Sequence, residues 1–215
     1  MESRTPLLTS HFSLLTCRIS RVVAAATTAA VTTAGLVACA GAPLTGAKAP
    51  VPSTGDPNRT YALSQVFLLQ MTEPDLADTT VRVRRGVARV IVLRHPAPDH
   101  LTFAELLLPA AAFDTTGADS VDVAIHPRPG LYGIDFTTSS VLKSATLTFK
   151  YAVHFKRPDD ARTLFASDVV FERALAIGKE SPGGTVVFQR SYRPAADNLS
   201  TDLTSAGSYV VGAPK

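Results

Sequence analysis

The strongest constraint on the fold is a sustained alternation between Ala145 and Lys156. Ala145, Leu147, Phe149, Tyr151, Val153 and Phe155 fall on one face, and Thr146, Thr148, Lys150, Ala152, His154 and Lys156 on the other. Successive side chains of a strand point to opposite faces, so this pattern predicts one long strand with a core face and a wet face. Val121, Val123 and Ile125 alternate with Asp122, Ala124 and His126 in the same way. Pro127-Arg128-Pro129-Gly130 reads as a turn, and Leu131 to Phe136 as the next strand, with Tyr132, Ile134 and Phe136 on one side. Val81 and Val83 alternate with Arg82 and Arg84, while Val87 to Arg94 is more continuously apolar and fits a strand buried on both faces. Phe171, Arg173, Leu175 and Ile177 predict a strand that turns at Ser181-Pro182-Gly183-Gly184 into Thr185–Arg190, making a hairpin. Ser208–Gly212 reads as a short closing strand.

Helix signals are few. Asp159 after Pro158 is a good N-cap for a helical turn over 159–166, with Ala161, Leu164 and Phe165 as its apolar face. In Ala104–Ala112 the helix-forming run is interrupted by Pro109, and the reading is a strand that ends at Leu108. Many short strands between Pro/Gly loops imply a mainly β chain: an antiparallel β-sandwich of the Ig-like type with one short helix. No internal repeat is visible.

Composition supports a folded core, since 46% of the 215 residues are hydrophobic. The charge balance argues against nucleic acid. There are 21 Lys+Arg against 18 Asp+Glu, and three of the arginines with one acid (Glu2) lie in the first 38 residues. The remainder carries 18 basic and 17 acidic residues, far from the clustered excess that binds a polyanion.

Those first 38 residues read as an export signal. Arg4, Arg18 and Arg21 precede an uncharged run from Val22 to Ala38, which at 17 residues is shorter than the roughly 20 needed to span a bilayer. The basic region holds no Arg-Arg pair, which favours general export over the twin-arginine route. The run ends in Leu36-Val37-Ala38-Cys39, which resembles the lipobox of bacterial lipoproteins. That resemblance implies diacylglyceryl transfer to the Cys39 sulfur, cleavage before Cys39 and acylation of the new α-amino group. Thiolate nucleophilicity suits such a transfer, and each buried methylene adds about 0.8 kcal/mol of membrane affinity. Ala40 follows, where an aspartate commonly retains a lipoprotein in the inner membrane, so the resemblance implies the outer membrane where the organism has one. Two other readings stay open: Ala38-Cys39-Ala40 fits ordinary A-x-A cleavage and release of a soluble protein, and an uncleaved run would serve as a weak anchor.

The expected organisation is a signal over residues 1–38, lipidated Cys39 with a flexible tether to residue 60, and one β-sandwich domain over 61–213. The tether is rich in Ala, Gly, Pro and Thr, with Leu44 and Val51 its only large aliphatics, so it cannot bury enough to fold. Two sequons, Asn58-Arg59-Thr60 and Asn198-Leu199-Ser200, are read as chance matches. Of the two cysteines, Cys17 falls in the signal, so the domain has no disulfide and no free thiol for catalysis or metal.

Leu106-Leu107-Leu108-Pro109-Ala110-Ala111-Ala112-Phe113, the Val121–Ile125 strand, the aromatic strand through Tyr132 and Ala145-Thr146-Leu147-Thr148-Phe149-Lys150-Tyr151 follow one another in an order that resembles bacterial ZU5-like β-sandwich domains, over roughly Leu101 to Val211. The resemblance implies an interaction or structural module. Some members of that family cleave themselves at a His-Phe-Ser site. The matching region here reads Ser205-Ala206-Gly207-Ser208-Tyr209, so self-cleavage is not implied.

Chemistry-bearing residues form no recognisable constellation. His95 and His100 flank Asp99 in a Pro-rich loop, but their spacing matches no zinc pattern, and the rings are expected in solvent. His126 and His154 are expected on solvated strand faces. No G-x-S-x-G elbow and no phosphate loop occurs. The expectation is therefore no catalytic residue, no metal and no cofactor. The most unusual charge feature is Arg82, Arg84, Arg85, Arg89 and Arg94, with no acid among them. Guanidinium forks bind carboxylate and phosphate bidentately, which makes these five a candidate anion site; the alternative is ordinary decoration of a solvated strand. The functional expectation is a lipid-anchored envelope protein with a non-catalytic binding or structural domain. Its candidate partners are an envelope protein, or anionic glycan or lipid headgroups. The remaining alternative is an envelope hydrolase, which requires a cleft with paired carboxylates or a His–carboxylate contact.

Overall fold

The computed structural model describes residues 57–72 and 75–215. The signal, the lipobox with Cys39, and the tether up to residue 56 lie outside the described residues. The strands are β1 (Thr60–Ala62), β2 (Val66–Leu68), β3 (Gln70–Met71), β4 (Thr79–Arg84), β5 (Arg89–Arg94), β6 (Thr102–Leu108), β7 (Ser120–Pro127), β8 (Gly133–Thr138), β9 (Ala145–Lys150) and β10 (Phe155–Lys156). A helix, α1 (Asp168–Ala174), follows, then β11 (Ala176–Ser181), β12 (Thr185–Phe188), β13 (Ser191–Tyr192), β14 (Asn198–Leu203) and β15 (Gly207–Pro214).

Every pairing is antiparallel. One sheet has the order β1-β12-β11-β15-β8-β7-β4, with β2 added beside β15, and the other has the order β13-β14-β9-β6-β5. The two sheets pack as a β-sandwich. Val121, Val123, Ile125, Ile134, Phe136 and Ile177 of the larger sheet share one core with Phe103, Leu106, Leu147, Phe149 and Leu199 of the smaller. The expected mainly β sandwich is thus the observed fold. The sheet starts at Thr60, and Asn58 N–H donates to Phe188 O at 2.9 Å, so these last residues of the expected tether already pair with the domain.

β15 sits at the centre of the larger sheet. One of its edges runs along β11, and the other is shared first by β8 and then by β2. Gly212 stands where β2 takes over. A Cβ there would lie 2.8 Å from both Phe67 O and Val66 Cγ1, so the close approach of β2 requires glycine.

Four expectations need correction. The Ala145–Lys156 strand ends at Lys150; Ala152 to His154 form a turn, and Phe155–Lys156 pair with Gln70–Met71 instead. Tyr151 drives the break, since it is buried and its hydroxyl bonds to Glu172. Phe171 and Arg173 belong to α1 and not to a strand. Ser167 caps the helix by accepting from Val170 N–H, and only Phe171 is buried, a single inward residue that two periods fit equally. Third, β5 is an edge strand, so Val90 and Val92 are exposed and only Ile91 and Leu93 are buried. Finally, the predicted turn is a 3-10 helix over Asp159–Thr163, capped at Pro158, with Ala161 buried and Leu164 exposed. The hairpin itself forms as expected between β11 and β12.

Candidate functional site

β4 is the last strand of the larger sheet and β5 the last strand of the smaller one, and residues 85–88 join them. The two open edges therefore follow each other in the chain, and both carry arginine. Arg82 faces Asp122 across the β4–β7 register and makes a fork, Nε to Oδ1 at 2.7 Å and Nη2 to Oδ2 at 3.1 Å. The hydrogen bonds raise the guanidinium's ionisation further and hold the Asp122 carboxyl below the ordinary carboxylate range.

Arg85 is spent on the fold. Its guanidinium donates to the Ala118 and Asp114 carbonyls and, at 3.0 Å, to Ser140 Oγ. Gly117, at φ +102°, lies beneath it, where a Cβ would come within 3.3 Å of Nη2. Arg94 donates to His100 O and Thr102 Oγ1 at 3.2 and 3.4 Å. Arg84 and Arg89 are exposed and make no side-chain hydrogen bond or ion pair among the described residues. The five arginines are thus divided: Arg82 and Arg84 lie on the outer face of β4 and Arg94 on that of β5, Arg85 braces a loop, and Arg89 starts β5 on the same side as Ile91 and Leu93, with Arg84 and Arg89 left without a described carboxylate partner near the β4–β5 junction. Beside them runs an apolar strip: Val87, Val90 and Val92 are exposed, and Leu107, the register partner of Val90, is exposed next to them.

A second constellation lies at the far end of β5. His95 follows Arg94 and returns through Leu101, whose carbonyl accepts its N–H at 2.8 Å. Its ring is buried, not solvated as expected. The His154 ring is buried as well, because the turn after β9 carries it inside. The two imidazoles lie 4.3 Å apart between centroids, and His95 meets the Phe103 ring edge-on at 5.6 Å. Phe103 in turn stacks on Tyr132 at 5.3 Å. His154 Nε2 is 3.2 Å from Asp99 Oδ2. Nothing in Tyr151-Ala152-Val153-His154 marks a turn by Gly or Pro, so no sequence signal could have placed His154 against His95.

Beside these rings is a half-open cavity of about 240 Å³, lined by His95, Leu101, Thr102, Tyr132, Lys150, Ala152, Val153, Asp197 and Asn198. Lys150 is neutralised by Glu105 at 2.6 Å. Burial pushes the Tyr132 phenol well above its ordinary value, so it stays neutral and can only donate or accept a hydrogen bond. The His–carboxylate contact that a hydrolase requires is present at His154–Asp99. The cavity's hydroxyls are those of Thr102 and Tyr132, and Thr102 Oγ1 accepts from Arg94. No group of three or more His, Cys, Asp or Glu among the described residues is placed to hold a metal ion. No protein-family model matches this chain, and comparisons with curated proteins and with solved structures find no match.

Proposed function

We propose that this protein is a lipid-anchored component of a bacterial envelope whose β-sandwich is a non-catalytic module for binding a protein partner. The anchoring half rests on Leu36-Val37-Ala38-Cys39 at the end of an uncharged run. Several acyl chains at one residue would hold the domain at the membrane surface, with the outer membrane favoured by Ala40. The binding half is supported by one observation above the others: an open sheet edge with exposed Val90 and Val92 beside the free cations Arg84 and Arg89. Apolar side chains next to unsatisfied backbone are rarely left uncovered without a partner.

Intact mass spectrometry of the protein extracted from native membranes, beside a Cys39→Ser variant, tests the anchor. The expected result is a chain beginning at Cys39 with added acyl mass, absent in the variant. A chain beginning at Gly41 without added mass would end the anchoring proposal. The reading of an anionic glycan or lipid ligand keeps a narrower basis, Arg84 and Arg89. It predicts salt-sensitive binding lost on changing both to Ala.

A further inference from the structure

We propose that β5 takes up an extended, carboxylate-bearing segment of a partner protein as an added strand. This rests on the binding-module reading above and specifies its mode and chemistry.

Among the described strands, β5 ends the smaller sheet and pairs only with β6. Alternate residues of a strand turn their N–H and C=O to each side, so half of the backbone groups of β5 point away from β6. No described residue hydrogen-bonds to that side. The free edge is 6 residues long, about 20 Å of template at roughly 3.3 Å per residue. Charge blunts this edge only at its two ends, Arg89 and Arg94, and leaves Val90 to Leu93 uncharged between them. There is no proline, and the single irregularity falls at its end, between Leu93 and Arg94.

Side chains then choose the occupant. Val90, Val92 and Leu107 form an apolar strip on the outer face, which asks for aliphatic residues at alternate positions of the incoming strand. Residues 79–94 contain five arginines and no acid, and among these only Arg82 has a carboxylate partner. Carboxylates on the incoming strand would compensate Arg84 and Arg89. A second copy of this chain would bring the same uncompensated cations to the contact. A polyanionic glycan or lipid surface would meet the cations but leave the backbone edge and the valines unused. The edge of β4 offers less, because its outward residues are Thr80, Arg82 and Arg84, with Arg82 already held by Asp122.

The full-length protein in detergent micelles is tested by fluorescence anisotropy against a labelled synthetic peptide, Asp-Val-Thr-Val-Thr-Val-Glu. Three companions are the same peptide N-methylated on alternate residues, in two versions for its two edges, and a version with lysines in place of the acids. Dextran sulfate serves as the polyanion. The expected result is binding that weakens at least about tenfold when one edge, but not the other, is methylated. The lysine version is expected to bind at least about tenfold more weakly, and Arg89→Glu to reverse that preference while melting like the wild type. Methylation-independent binding that dextran sulfate matches would overturn the proposal in favour of a polyanion site. Self-association by sedimentation, lost in Val90→Lys, would overturn it in favour of a second copy. Failure of all peptides would also refute strand addition. In that case photo-crosslinking in native membranes separates the two claims. An envelope-protein adduct from exposed Val141, in the loop after β8, but not from Val90 would leave the binding-module reading standing, and no adduct from either would remove both.

Discussion

Replacing Gly212 by alanine tests whether β15 holds β2 as tightly as the structure shows. The new Cβ would sit 2.8 Å from Phe67 O and 2.8 Å from Val66 Cγ1, about 0.6 Å inside the near limit of ordinary contact at 3.4 Å. The Val66 methyl can rotate or shift. The Phe67 carbonyl cannot, because it belongs to the β2 backbone whose partner register includes Ala213. Forcing an extra methyl into a packed site costs about 1–3 kcal/mol, and the fixed oxygen argues for the upper half of that range. For a domain of this size each kcal/mol moves the melting temperature by about 2–4 °C, so Gly212→Ala should melt roughly 4–12 °C lower. Thermal unfolding followed by circular dichroism reads this directly. Adding Val66→Ala should recover little of the loss. By contrast, Gly178→Ala clashes chiefly with a side chain, Val186 Cγ1, and Val186→Ala should relieve part of its cost. Gly183 has open space, so Gly183→Ala is the control. A Gly212→Ala protein that melts with the control would refute the close packing of β2 on β15.

Burial raises the ionisation of Tyr132, Tyr151 and Tyr209 above the ordinary value of 10.0. A raised value means that the folded state prefers the neutral phenol. Its stabilising contribution is therefore full below pH 10 and is lost as pH climbs through the folded-state value. Phenolate absorbance of these three should appear only together with loss of ellipticity; a reversible rise in the intact fold would contradict their burial. Arg85→Ala should destabilise by about 1.5–3 kcal/mol through loss of its charged hydrogen bonds to the 114–118 loop, whereas Arg84→Ala should stay within about 0.5 kcal/mol, as denaturant titration would show. Phe103→Ala removes the ring between His95, Tyr132 and Phe149 and should cost about 3–5 kcal/mol, and a smaller loss would mean that the neighbouring rings close the gap.

Strands whose partners impose a simple inside and outside were readable from the sequence. Val121–Ile125, the β11–β12 turn and the end of β6 at Leu108 all lie where alternation or turn residues agree with the final burial. The misreadings share a cause in distant contacts. Tyr151–Lys156 continues the alternation of β9, but Tyr151 is claimed by Glu172 and Phe155 by Met71, so the period survives while the strand does not. β14 passed unread because Asn198-Leu199-Ser200-Thr201 looks polar; Ser200 and Thr201 are buried through bonds to Thr148 Oγ1 and the Arg190 carbonyl. The candidate site was legible in outline only. The run of arginines was plain, but telling the braced Arg85 from the free Arg84 depends on a loop 33 residues away. Cys39 was read from local motif alone, and the exposure of Val90 and Val92 follows from β5 being an edge, which no local pattern declares.

The central position of β15 also sets a timetable. It is the last of the described strands in chain order, yet it alone joins β12–β11 to β8–β7–β4 and supplies β2 with its only partner. Until residues 207–214 are available, the larger sheet exists as two separate ribbons with open inner edges. Loop-closure entropy for such distant pairings must be met before the pairings return any stability, which slows folding. The strands of the smaller sheet are all made before Gly207, so it is the larger sheet that waits for β15. A stop between Phe188 and Gly207 leaves the larger sheet as two ribbons with open inner edges, the kind of edge that pairs with other chains.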